Sequence, residues 1–204
     1  MKSRVQLFCV LIWLASLAGV PAKEFLVYFG TYTNHLSRGI YVSRLDADTG
    51  KFSMPKLAAE TPDPCFLAIS PDEKFLYAAT SVRILNGEKT GAVSAFAIEK
   101  NSGALTLLNQ KSSGGGGPCY VSVDATGKIL LTANYGGGSV KSFLLNDDGS
   151  IGRDGTLIQF HGHGANTNRQ SSPHGHFFAT DPSNHFALAC DLGTDQVTIY
   201  QLDA

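Results

Sequence analysis

Two histidines separated by a single glycine stand in the stretch Pro173-His174-Gly175-His176-Phe177-Phe178. An imidazole exchanges a proton near neutral pH, its unperturbed pKa being about 6.5. Either ring could activate water against a carbonyl or protonate a departing alkoxide. Arg169, just upstream, offers a guanidinium able to clamp a carboxylate or phosphate through two parallel hydrogen bonds. Asp191, in Asp191-Leu192-Gly193-Thr194-Asp195, could orient a histidine or cap the following turn, and Asn134 is a further candidate contact. His174 and His176 are therefore the expected catalytic residues, with Arg169, Asp191 and Asn134 as expected substrate contacts. The plainer alternatives are a histidine bonded within its own sheet and a solvated loop arginine.

A second pair, His161-Gly162-His163, invites a zinc or copper reading. It closes one strand whereas His174-Gly175-His176 opens another, and no cysteine or glutamate stands at ligand spacing, so no metal or cofactor is expected. The run Gly114-Gly115-Gly116-Gly117 is followed by neither Lys-Ser/Thr nor a helix. It reads as a crossing between units and not as a phosphate-cradling loop.

The elements that must position these residues repeat. Pro64-Cys65-Phe66-Leu67-Ala68-Ile69 and Pro118-Cys119-Tyr120-Val121-Ser122-Val123 start two copies of one pattern, and Pro173-His174 starts a third with histidine in place of Cys65 and Cys119. Each copy contains short runs rich in β-branched and aromatic residues, parted by turns such as Ser70-Pro71-Asp72-Glu73-Lys74 and Asp124-Ala125-Thr126-Gly127-Lys128. No run has a helical period. A repeat of about 50 residues built from four short strands is the signature of a β-propeller blade. The class is all-β, with units at about 25–60, 64–111, 118–163 and 173–204, the last incomplete. Along a strand, period two sends His174 and His176 to opposite faces unless a bulge or bend intervenes at Gly175.

The N-terminus carries Lys2 and Arg4, an apolar run from Val5 to Val20, and Val20-Pro21-Ala22, the features of a cleavable secretory signal over residues 1–22. The expected product, 23–204, is secreted or periplasmic and not membrane-bound. The formal charge of the 204 residues is -1, and loss of Lys2 and Arg4 makes it -3, which gives no reason to expect nucleic acid as a partner. Cleavage also removes Cys9 and the sole tryptophan, Trp13, which disfavours a WD-type repeat. Cys65, Cys119 and Cys190 remain, an odd number, read as small buried residues and not as a disulfide framework. Because the last unit lacks its final turn and strand, and the first lacks an opening strand, the chain is expected to be the N-terminal half of a longer protein.

Several stretches resemble the seven-bladed propeller lactonases, a family that includes a bacterial type of 6-phosphogluconolactonase and the fungal carboxymuconate cyclases. They are Tyr28-Phe29-Gly30-Thr31-Tyr32-Thr33, Ser70-Pro71-Asp72-Glu73-Lys74-Phe75-Leu76-Tyr77, Ala133-Asn134-Tyr135-Gly136-Gly137-Gly138-Ser139-Val140, Arg169-Gln170, Pro173-His174-Gly175-His176 and Asp191-Leu192-Gly193-Thr194-Asp195 with Tyr200. The resemblance implies four-stranded antiparallel blades, here about half of a seven-bladed ring. It further implies a site at one mouth of the central channel in which one histidine of Pro173-His174-Gly175-His176 acts with an arginine and a glutamate of a further blade. The expected activity is hydrolysis of a sugar-acid lactone, a small-molecule substrate, by general acid-base catalysis. The alternatives are a lactonising cyclase and a non-catalytic propeller serving as a binding scaffold.

Overall fold

A computed structural model describes residues 23–82, 85, 87 and 90–202; the expected signal segment, 1–22, lies outside them. The described residues form fifteen strands in four antiparallel sheets taken in chain order. The first sheet contains β1 (Glu24–Gly30) and β2 (Gly39–Asp46), with β3 (Lys51–Phe52) and β4 (Lys56–Glu60) both paired to β2. The second is β5 (Pro64–Ile69), β6 (Phe75–Thr80), β7 (Ala92–Ile98) and β8 (Leu105–Ser112). The third is β9 (Pro118–Val123), β10 (Ile129–Asn134), β11 (Ser139–Leu145) and β12 (Ile151–Gln159), and the fourth is β13 (Gly175–Thr180), β14 (Phe186–Asp191) and β15 (Gln196–Gln201).

Alternation of side chains turns each sheet into an adhesive with two faces. In β6, Leu76 and Ala78 pack with Ile40, Val42 and Phe96 towards the first sheet, while Tyr77 and Ala79 pack with Val121, Leu130 and Phe143 towards the third. Ile129, Leu131 and Ala133 of β10 do the same against Phe178, Ala187 and Ala189 of the fourth sheet. The core is thus a series of inter-sheet layers, and each fully buried aliphatic or aromatic side chain contributes roughly 1.5–3 kcal/mol.

The first strands of the three complete openings, β5, β9 and β13, lie side by side and carry a ladder of rings. Phe66 and Tyr120 have centroids 4.3 Å apart, and Tyr120 and Phe177 4.7 Å. Each of these strands enters with a β-bulge. Pro64 pairs Thr80 and Phe66 pairs Ala79, so Cys65 is the extra residue. Cys119 is the extra residue between Pro118 and Tyr120, and His176 between Gly175 and Phe177. The histidine in register with Cys65 and Cys119 is therefore His176, and Gly175 takes the place of Pro64 and Pro118; the expected start of the third copy at Pro173 is corrected by two residues.

The cysteines are half-buried and free, not fully buried as expected. The Cys65 thiol donates to the carbonyl of Pro118 at 3.0 Å and the Cys119 thiol to that of Gly175 at 3.5 Å, each reaching the next inner strand. Burial pushes the Cys119 thiol up to about 11. The turns between first and second strands repeat as well: Glu73, Gly127 and Asn184 adopt the left-handed conformation at one position, with φ of 59°, 72° and 58°.

Two predictions follow from these ties. Tyr77 is 1% exposed and its hydroxyl donates to the Gly149 carbonyl at 2.9 Å across the sheets. Tyr77→Phe leaves that carbonyl without its partner and is expected to cost about 1–3 kcal/mol in chemical denaturation; an unmoved midpoint would refute the tie. The Asp181 carboxylate accepts first from the Ser183 hydroxyl and then from the Phe186 amide, which lower it from 3.8 to about 2. A carboxylate lowered on folding stabilises the fold above its unfolded pKa, and that contribution fades as pH falls from about 4 to about 2. Asp181→Ala should therefore flatten the acid limb of a stability-against-pH curve, and an identical limb would contradict the assignment.

Candidate functional site

The bulge settles where the two histidines go. Because His176 is the extra residue, the strict alternation expected of a strand is broken, and both rings reach one tyrosine. His174 stacks on Tyr135 with centroids 4.4 Å apart and planes 12° from parallel. His176 meets the same ring edge-on, at 5.8 Å and 89°.

His174 is half-buried, and its position is built from the backbone outward. Its carbonyl accepts from Leu192 N at 3.0 Å, and its amide donates to Asp191 Oδ1 at 2.6 Å. Gly175 brings the strand close to the preceding sheet: a Cβ there would lie 2.9 Å from the Ser139 carbonyl oxygen. Gly193 is demanded more strongly, since its Cβ would fall 1.9 Å from the Ser172 carbonyl oxygen. The ring of His174 places Nδ1 2.9 Å from the Tyr135 carbonyl oxygen. A carbonyl only accepts, so Nδ1 carries the hydrogen and Nε2 presents its lone pair when the ring is neutral. His176 is exposed and also borders a concavity of about 410 Å³ lined with Cys190, Asp191, Leu192 and Val197.

Arg169 is exposed on the connection from β12 to β13, and its Nη2 lies 3.4 Å from the Tyr135 hydroxyl. The neighbouring Gln170, 7% exposed, anchors that connection. Its Nε2 donates to the Leu192 carbonyl at 3.0 Å and to Asp195 Oδ1 at 2.5 Å, while its Oε1 accepts from Asn166 N at 2.8 Å. Arg169 and the two histidines are thus gathered around Tyr135, at the end of the sheets where β9 and β13 begin and β10 ends.

Two expected substrate contacts are corrected. Asn134 is fully buried, with Nδ2 donating to the Ser113 carbonyl at 2.9 Å and to Ser139 Oγ at 3.0 Å, so it ties β10 to its neighbours and has no surface exposed to solvent, while its Oδ1 has no hydrogen-bond partner among the described residues. Asp191, 5% exposed, spends its carboxylate on the protein: Oδ1 accepts from His174 N and Gly193 N, and Oδ2 from Thr194 Oγ1 at 2.6 Å. It orients His174 through the main chain and caps the turn. Tyr135, next to Asn134 at the strand end but not among the expected contacts, is the residue these groups share; its signal in the sequence is an aromatic set between a buried strand and the Gly136-Gly137-Gly138 run. Among the described residues no group of three or more His, Cys, Asp or Glu gathers as a metal site, and His163 bonds only the Gly164 carbonyl, at 3.4 Å.

The role given to Asp191 has a direct check. Asp191→Ala strands one buried amide, one half-buried amide and a hydroxyl and is expected to lower the unfolding free energy by about 3 kcal/mol, with Asp191→Asn recovering part of the loss through its remaining oxygen. A folded, equally stable Asp191→Ala protein whose only defect is weaker substrate binding would restore the substrate-contact assignment.

Comparison with known proteins agrees with this architecture. Residues 26–204 match the family model described as "Lactonase, 7-bladed beta-propeller". The chain is 38% identical over 179 residues to a 6-phosphogluconolactonase of Bacillus subtilis, covering 88% of this chain and 50% of that protein. A Bacteroides fragilis structure provisionally described as a 6-phosphogluconolactonase superposes with a TM-score of 0.81 at 37% identity, covering 88% of this chain and 49% of that one. The Pseudomonas aeruginosa periplasmic gluconolactonase PpgL superposes with a TM-score of 0.79 at 29% identity, covering 88% and 50%. The chain spans about half the length of the curated relatives it matches. Matched along nearly all of its described residues and folded into the blades the family model requires, the chain belongs to the seven-bladed β-propeller lactonases.

Proposed function

We propose that the protein hydrolyses a sugar-acid lactone, with His174 as the proton-transfer group and Arg169 as the contact for an anionic substituent. The observation that carries this reading is the locked imidazole: Nδ1 is committed to the Tyr135 carbonyl at 2.9 Å, which leaves Nε2 for exchange with substrate and water. Water adds to the lactone carbonyl carbon as Nε2 takes its proton. The tetrahedral adduct then collapses, the ring carbon–oxygen bond breaks, and Nε2–H returns the proton to the departing alkoxide. The products are a hydroxyl and a carboxylic acid whose ionisation releases one proton to solvent. Cationic donors beside the carbonyl oxygen would stabilise the adduct.

Among lactones, a non-phosphorylated one whose anionic substituent is a carboxylate is favoured over a phosphorylated one. The apolar run Val5 to Val20 reads as an export signal, and phosphorylated sugar intermediates are cytoplasmic. Likeness to a periplasmic gluconolactonase supports the same choice. Export of this protein is part of the proposal.

Proton release from gluconolactone, from its 6-phosphate and from a sugar lactone bearing a free carboxylate, followed with a pH indicator, tests the reading. His174→Gln is expected to remove at least about 100-fold of the enzymatic rate, and His176→Gln to have the smaller effect. Wild-type protein that does not exceed spontaneous hydrolysis, or a His174→Gln variant as fast as wild type, would sink it.

A further inference from the structure

We propose that Tyr135 is a positioning residue that couples the two working groups of the site, holding the His174 imidazole with its carbonyl and ring and the Arg169 guanidinium with its hydroxyl. This rests on the lactonase reading and extends it to a residue that touches both groups at once.

Tyr135 itself is fixed before it positions anything. It follows Asn134, which is fully buried, and its amide donates to the Gly117 carbonyl at 2.9 Å. One residue pair further on, Gly137 N donates to the Gly116 carbonyl at 2.8 Å, so the chain on both sides of Tyr135 is bound to the crossing from β8 to β9. Close contact of the two glycine runs leaves no room for adjustment: a Cβ on Gly137 would lie 2.9 Å from Gly115 Cα. The tyrosine carbonyl is therefore held in place by the main chain on both sides of it, and the ring lies stacked on His174.

That surface determines two properties of the imidazole. The carbonyl selects the Nδ1–H tautomer, since an unprotonated Nδ1 would face an oxygen lone pair. The ring, 12° from parallel, opposes rotation of the imidazole about its own axis and so keeps Nδ1 aimed at the carbonyl. Neither the carboxylate of Asp191 nor any other side chain hydrogen-bonds the His174 ring among the described residues. Orientation of the proton-transfer group thus depends on Tyr135.

Arg169 depends on it in a different way. Among the described residues its guanidinium has no carboxylate within ion-pair distance, and its side-chain hydrogen bond is the one to the Tyr135 hydroxyl, at 3.4 Å. A guanidinium without an acidic partner is available to an anionic substrate, and the hydroxyl is what locates it.

The two duties can be separated with Tyr135→Phe, which keeps the carbonyl and the stacked ring, and Tyr135→Leu, which keeps the carbonyl alone. Long-range ¹H–¹⁵N spectra of the histidine rings in the whole protein report the tautomer at a pH where they are neutral. Wild type and Tyr135→Phe are expected to show His174 as Nδ1–H, and Tyr135→Leu to show a mixture of tautomers. In kinetics, Tyr135→Phe should raise KM several-fold for a lactone bearing an anionic group, not for a neutral one, with kcat within about 2-fold of wild type. Tyr135→Leu should lower kcat by at least about 10-fold for both. An unchanged Nδ1–H tautomer in Tyr135→Leu, or a Tyr135→Phe variant whose KM for the anionic lactone is that of wild type, overturns the coupling. Should Tyr135→Leu fail to fold, Tyr135→Phe still decides through its KM split. Wild-type protein without lactonase activity defeats the functional reading, while the tautomer comparison continues to decide whether Tyr135 positions His174.

Discussion

The constraint on which this molecule depends is that its sheets are apolar on both faces. Leu76 and Ala78 on one side of β6, and Tyr77 and Ala79 on the other, all require cover from a neighbouring sheet. Stacking sheet on sheet in chain order meets that requirement and brings β5, β9 and β13 side by side, with Phe66, Tyr120 and Phe177 in contact across them. An array of strand ends and crossing loops is thereby collected at one end. The packing is what makes a site possible there, before any residue with useful chemistry is placed in it.

The scaffold admits such residues because its repeating bonds are made by the backbone. Ser81 N donates to the Asp63 carbonyl, Tyr135 N to that of Gly117 and Leu192 N to that of His174, which makes Asp63, Gly117 and His174 equivalent positions. Their side chains are free to differ. Asp63 accepts from the amide and hydroxyl of Thr33 at 2.7 and 3.0 Å, Gly117 has nothing to offer, and His174 reaches Tyr135. The bulge position varies likewise, with thiols at Cys65 and Cys119 and an imidazole at His176. Chemistry enters at two positions of one blade without changing the ladder that holds the blade together.

Strands with two buried faces were legible as short, nearly continuous apolar and β-branched runs, as in β6 and β10, which are buried at almost every position. Strand β12 was not. It begins at Ile151, yet Gly152, Arg153, Asp154 and Gly155 show no apolar alternation that would mark it. They are held by pairing to β11 and by Lys111 and Lys141, whose ammonium groups converge on Asp154 at 3.1 and 2.9 Å. Pro173 misled the repeat alignment for a related reason: a proline resembles Pro64 and Pro118 in type, whereas the ladder is indexed by hydrogen bonds, and these place Gly175 opposite Asp191. Of the candidate site, the histidines and Arg169 stand out in the sequence by their chemistry, and the structure brings them to one tyrosine. Asn134 and Asp191 could not be set aside, since the burial of Asn134 and the hydrogen bonds that occupy both oxygens of Asp191 are properties of the folded chain.

The commitment of Asp191 to backbone amides has an electrostatic consequence for His174. In a Ser-His-Asp arrangement a buried carboxylate faces Nδ1 and meets the charge of the imidazolium as it forms. Here the group facing Nδ1 is a neutral carbonyl, so in the proposed reaction the positive charge gained on proton transfer would be met by the carbonyl dipole and by the π face of Tyr135, stacked at 4.4 Å. The same tyrosine holds a guanidinium at its far end, and two like charges on one ring repel unless something anionic lies between them. In the proposed reaction an anionic substrate would supply that charge. Binding it beside Arg169 would relieve the repulsion just when His174 takes up its proton, which ties the substrate's charge to the proton-transfer step through a single side chain.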